Sequence, residues 1–141
     1  MLRLMPLFIY VVLLAAPVQA SAARFDGSVP LLCSLMSAYE CYEDVGCIPA
    51  SVPDLNLPRF LKIDVAQKKV TGVREGARTT VIQSVREVDS KLILQGAEDA
   101  VENVRDGLGW TAAIMEDSGN LILTGSGDDV GFTVFGACIT Q

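Results

Sequence analysis

The sequence predicts an all-β, antiparallel fold: a meander forming a small barrel, closed or partly open, of about seven or eight strands, or else a two-layer sandwich. Three observations point there. From Pro58 onward, short apolar or β-branched runs alternate with turn residues, the pattern of hairpin-linked strands. One run is echoed: Lys91-Leu92-Ile93-Leu94-Gln95-Gly96 returns as Asn120-Leu121-Ile122-Leu123-Thr124-Gly125, each after an Asp-Ser turn and each followed by a Gly-aromatic pair, Gly109-Trp110 and Gly131-Phe132. Finally, Cys33, Cys41, Cys47 and Cys138 make an even set, which in an exported chain reads as a disulfide framework.

The elements follow in order. Residues 1–20 read as a signal peptide: Arg3 supplies the charge, Leu4–Ala16 the apolar stretch, and Val18 and Ala20 the small residues a signal peptidase needs, with Ala23 as the second cleavage choice. The apolar run is shorter than the roughly 20 residues a membrane span requires, so no membrane association is expected after cleavage. Residues 21–58 read as an irregular, Cys- and Pro-rich N-terminal segment of the domain, with Pro30, Pro49, Pro53 and Pro58. Within it Leu31, Leu32, Leu35, Met36 and Tyr39 recur at helical spacing; a short helix and a buried strand both fit, and an extended start followed by a turn of helix is favoured.

Residues 59–141 carry the β meander. Its runs are Phe60–Val65, Lys69–Val73, Thr79–Val85, Lys91–Gln95, Gly109–Met115, Leu121–Thr124 and Gly131–Ile139. The separators, such as Asp89-Ser90 and Asp117-Ser118-Gly119-Asn120, tolerate positive φ or bond their own backbone, so they reverse the chain at low cost. Only Ala97–Gly107 departs from the pattern: Ala97, Ala100, Val101 and Val104 share a helical face, so a helical turn or a solvated loop is expected there.

Four cysteines allow three pairings. The expected one joins Cys41 to Cys47 around a local loop, and Cys33 to Cys138 from the start of the domain to its last strand. Zinc is not expected, because the spacings are C-x7-C and C-x5-C rather than C-x2-C.

Composition excludes more than it identifies. Removing residues 1–20 leaves about 120 residues and shifts the net charge from −6 to −7, one acidic domain. Nucleic acid is not an expected partner, since no basic face neutralises phosphate. The chain has no histidine, which removes Ser-His-Asp and Cys-His catalysis and His-ligated metals. Carboxylates gather at Glu40, Glu43 and Asp44, at Glu98, Asp99, Glu102 and Asp106, and at Asp128 and Asp129; a solvated acidic surface explains them, and the calcium-loop pattern is absent. Gly125-Ser126-Gly127-Asp128-Asp129-Val130-Gly131 lacks the lysine and spacing of a phosphate loop and reads as a hairpin turn. Lys62, Lys68, Lys69, Arg74 and Arg78 form the one basic stretch, read as a solvated hairpin. Trp110, Phe132 and Phe135 on predicted strands either fill the core or line a pocket for an apolar ligand.

With Leu57-Pro58-Arg59-Phe60-Leu61-Lys62-Ile63-Asp64, Leu92-Ile93-Leu94-Gln95-Gly96, Gly109-Trp110 and Val134-Phe135-Gly136-Ala137-Cys138 in view, the chain resembles an uncharacterised family of small exported proteobacterial proteins with an early cysteine cluster and a C-terminal F-G-A-C. That resemblance spans most of the mature chain and implies compartment and fold, not activity. More loosely, the disulfide-bearing β-barrel plan is similar to that of periplasmic inhibitors of hydrolases, a likeness of fold alone. The expected function is therefore a monomeric, exported, non-enzymatic binding protein without cofactor, periplasmic first and extracellular second, whose partner is another protein such as a hydrolase. The alternative is a β-barrel carrier of a small apolar ligand.

Overall fold

The computed structural model describes residues 24–74, 76–98 and 107–141. The expected signal peptide and residues 99–106 of the expected helical turn lie outside them. Ten strands follow one another: β1 (Leu31–Tyr42), β2 (Gly46–Ala50), β3 (Phe60–Asp64), β4 (Lys69–Gly72), β5 (Thr79–Val81), β6 (Ser84–Val88), β7 (Lys91–Glu98), β8 (Leu108–Met115), β9 (Asn120–Ser126) and β10 (Gly131–Thr140). All pair antiparallel in one sheet of order β5-β4-β3-β1-β10-β9-β8-β7-β6, with β2 attached beside β1.

Period-two patterning decides which side is inside. Leu92, Leu94 and Gly96 of β7, Trp110, Ala112 and Ile114 of β8, and Leu121, Leu123 and Gly125 of β9 are all buried, while their neighbours are exposed or half-buried. A one-residue slip would turn each of these sets to solvent, so burial itself fixes the register. The β6–β7 reversal is a two-residue turn with both residues at positive φ, Asp89 at 47° and Ser90 at 57°, a conformation whose twist matches the strands it joins. Leu31, Ile63, Ile82, Leu94, Ile114, Leu121 and Val134 have at most 1–2% of their surface exposed. Each contributes roughly 1.5–3 kcal/mol by leaving water.

The segment 21–58, expected to be irregular, contains the longest of the described strands. Leu31, Cys33 and Leu35 alternate inward, and a bulge at Met36 then shifts the register so that Ala38 is the next buried residue. That extra residue breaks the period of two and leaves the apolar residues at the spacing of a helix. The strand wins because both its edges are paired: β10 along one side, β3 and then β2 along the other. At the bulge the chains run close, and a Cβ at Gly136 would collide with the Ser34 carbonyl oxygen; only glycine fits there.

The sheet is not closed into a barrel, which corrects the closed form of the sequence expectation. Its two ends, β5 and β6, are consecutive in the chain and separated by Ile82 and Gln83. The predicted run Thr79–Val85 is thus two strands with different partners, β4 and β7. Thr80 and Ile82 face inward, but the next core-packing side chain is Val85, not residue 84. This slip interrupts the ladder. The linker still binds both sides: Ile82 N–H donates to Lys68 O at 2.9 Å and Gln83 N–H to Gln95 O at 2.8 Å. The sheet curls over its own core, and Trp110 Nε1 on β8 donates to Thr80 Oγ1 on β5 at 3.3 Å.

Candidate functional site

Two places gather the chemistry-bearing residues, one inside the curled sheet and one at a hairpin tip. The inner one starts from the sequence echo. Across the sheet, Gly96 is opposite Trp110, Trp110 is opposite Gly125, and Gly125 is opposite Phe132. A Cβ at Gly96 would overlap the Trp110 ring and the Val81 carbonyl; one at Gly125 would overlap the Phe132 ring. The glycines exist so that two large rings can lie flat over neighbouring strands, which is why each copy of the repeat ends in glycine and is followed by an aromatic.

Beneath these rings lies a cavity of about 90 Å³, walled by Leu61, Ile63, Val70, Leu123, Trp110 and Phe132 among others. Its lining also includes exposed Asn56, Arg74 and Arg78 and half-buried Glu98, which mark its mouth. Arg74 Nη2 donates to Asn56 Oδ1 at 3.5 Å. Among the described residues neither arginine forms an ion pair; the one salt bridge there joins Arg24 Nη2 to Glu116 Oε2 at 3.2 Å. Trp110 and Phe132 therefore sit in the interior, as one branch of the sequence reading requires. Phe135 does not: three residues from Phe132, it falls on the opposite face of β10, 40% exposed, with its ring edge-on to Tyr39 at 6.4 Å.

The cysteines sit at directly opposed strand positions. Cys33 bonds Cys138 across β1 and β10, with 0% and 4% of their surfaces exposed, and Cys41 bonds Cys47 across β1 and β2. The second bridge clamps the root of a hairpin whose residues Tyr42–Pro49 are all exposed. Val45 is 64% and Ile48 41% exposed. Tyr42, Glu43, Asp44 and Asp129 line a shared depression, so the β9–β10 loop adds its charge to the tip. Tyr42 Oη lies 3.2 Å from Glu40 Oε2, and the Glu40 charge holds the phenol above its ordinary pKa of 10.0, with desolvation and the hydrogen bond adding to it. Pro49 withholds an N–H from the outer edge of β2, which makes that edge a poor template for strand addition.

Of the other sequence candidates, Lys62 and Lys69 are exposed on β3 and β4 and Lys68 occupies their turn at φ 54°. Asp99, Glu102 and Asp106 lie outside the described residues. Among the described residues no three His, Cys, Asp or Glu side chains converge as metal ligands would. Sequence reasoning missed that Arg74 and Arg78 border an apolar hollow; the available signal was that the chain's basic residues concentrate between positions 59 and 78 of an otherwise acidic protein.

Fold and site together define a disulfide-stapled, all-β protein with an exposed acidic-apolar hairpin clamped at its root and an apolar cavity inside the curled sheet. Compared with protein-family models, curated proteins and solved structures, the chain matches none.

Proposed function

We propose that this is an exported, non-enzymatic protein-binding domain that engages a partner with a basic cleft, a hydrolase being the chemical class in view, through the β1–β2 hairpin. The observation that carries this reading is the hairpin itself. It exposes Val45 and Ile48 beside Glu43 and Asp44, and the Cys41–Cys47 bridge at its root fixes the backbone before binding. Preorganisation matters because ordering a loop at an interface costs about 0.5–1.5 kcal/mol for each immobilised side chain. Apolar residues ringed by charge suit insertion into a cleft, with the aliphatic groups desolvated and the acids steering approach. A net charge of −6 for the chain favours a basic partner. Export is supported by the two disulfides, which persist in oxidising compartments, and by the leader-like residues 1–20.

The test uses the purified mature protein as bait against an envelope extract, beside a variant carrying Val45→Asp, Glu43→Lys and Asp44→Lys. The expected result is a discrete captured protein that is lost at high salt and lost with the variant. Identical capture by both baits would refute the hairpin as the binding element.

A further inference from the structure

We infer that the cavity under Trp110 and Phe132 is a binding site for a short aliphatic carboxylate, of about four to six carbons, whose chain lies against the rings and whose carboxylate faces Arg74 and Arg78. This goes beyond the protein-binding reading and does not depend on it.

Three observations set the ligand's chemistry. First, the wall is built mainly from Leu61, Ile63, Val70, Leu123, Trp110 and Phe132, and the hydroxyl of Thr80, which also lines it, accepts the Trp110 N–H. Water in such a space lacks the two to four polar partners it needs, whereas alkyl carbon loses nothing by entering. Second, the size is selective. A dry cavity of about 150 Å³ accepts the six carbons of benzene, so about 90 Å³ encloses roughly three or four methylenes; with the carboxyl end at the mouth this fits a guest of about four to six carbons and not the tail of a membrane lipid. Third, the mouth is charged. Arg74 and Arg78 line it, and among the described residues neither has a carboxylate partner. Their forked guanidinium groups are suited to a carboxylate. Glu98 also lines the mouth and opposes an anion, and among the described lining residues the two arginines outweigh it by one charge. A neutral apolar guest would leave both arginines without a function in binding, which is the distinction the experiment reads.

Trp110 is the chain's single tryptophan, so its fluorescence reports occupancy directly. The purified mature protein is titrated with hexanoate, 1-hexanol and acetate. The expected outcome is a saturable change in Trp110 emission with hexanoate, weaker binding of 1-hexanol, and none of acetate, which has no chain to bury. Arg74→Gln with Arg78→Gln should weaken hexanoate about tenfold, leaving 1-hexanol unchanged, and Glu98→Gln should tighten hexanoate. All three substituted groups lie at the cavity mouth rather than among the fully buried core residues, and an unaltered thermal transition confirms that each variant is folded. Hexanol binding as tightly as hexanoate, hexanoate indifferent to the arginine substitutions, or no saturable response to either probe at millimolar concentration would each overturn the assignment.

Discussion

Replacing Cys33 and Cys138 together by alanine removes the link between β1 and β10, and its cost follows from where the bridge stands in the chain. The two residues are 105 apart in sequence, whereas Cys41 and Cys47 are 6 apart. In the chain-entropy account, opening the long loop costs ~4.7 kcal/mol and opening the short one ~2.4 kcal/mol. A domain of about 120 residues has an unfolding entropy near 0.25 kcal/mol/K, so the double variants should melt about 19 °C and about 10 °C below the parent. Removing the buried sulfurs of Cys33 and Cys138 also leaves a void, which adds to the larger loss. The assay is thermal unfolding of the chain from Ser21 onward followed by circular dichroism, with both double variants measured beside the parent. If the Cys41/Cys47 variant lost as much stability as the Cys33/Cys138 variant, the reasoning from loop length would fail.

Three further outcomes are expected. Gly96→Ala should destabilise by about 1–3 kcal/mol, because its Cβ meets both the Trp110 ring and the Val81 carbonyl, whereas Gly109→Ala, with nothing within 4 Å of the new carbon, should stay within about 0.5 kcal/mol of the parent; denaturant titration compares them. Ile82→Ala, at the junction between the two ends of the sheet, should cost about 2–5 kcal/mol by the same measurement, since that side chain is 1% exposed. Glu40→Gln should lower the Tyr42 pKa, as the nearby negative charge that opposes phenolate formation is removed; ultraviolet titration of the phenolate shows it, and an unmoved titration would contradict the Glu40–Tyr42 contact.

Much of the sheet was legible in the sequence because its rules are local. Six of the seven apolar runs after Pro58 match single strands, the seventh, Thr79–Val85, spans β5 and the start of β6, and Asp89-Ser90 turns the chain where turn chemistry says it should. What escaped was set by distant partners. In β1 the bulge at Met36 gives the apolar residues a helical spacing, and pairing with strands from opposite ends of the chain overrides it. β2 has no buried stripe to read, since it rests on β1 alone. The break at Ile82–Gln83 depends on β4 and β7 being the strands within reach. Within the site, strand periodicity separates Phe132 from Phe135, which lie three residues apart and so face opposite ways. The approach of Arg74 and Arg78 to Trp110 joins parts of the chain more than thirty residues apart in sequence, and no local pattern encodes it.

The pairing of β1 with β10 has a consequence for how the molecule comes into being. The middle of the sheet is made from the first and last of the described strands, Leu31–Tyr42 against Gly131–Thr140. A growing polypeptide cannot complete this seam until β10 has been synthesised, and closing so long a loop is slow compared with forming hairpins. Until then the β7–β9 hairpins can form, but Leu31 and Leu35 lack the neighbours that β10 supplies. The continuous sheet therefore forms only when both of these distant strands are present together.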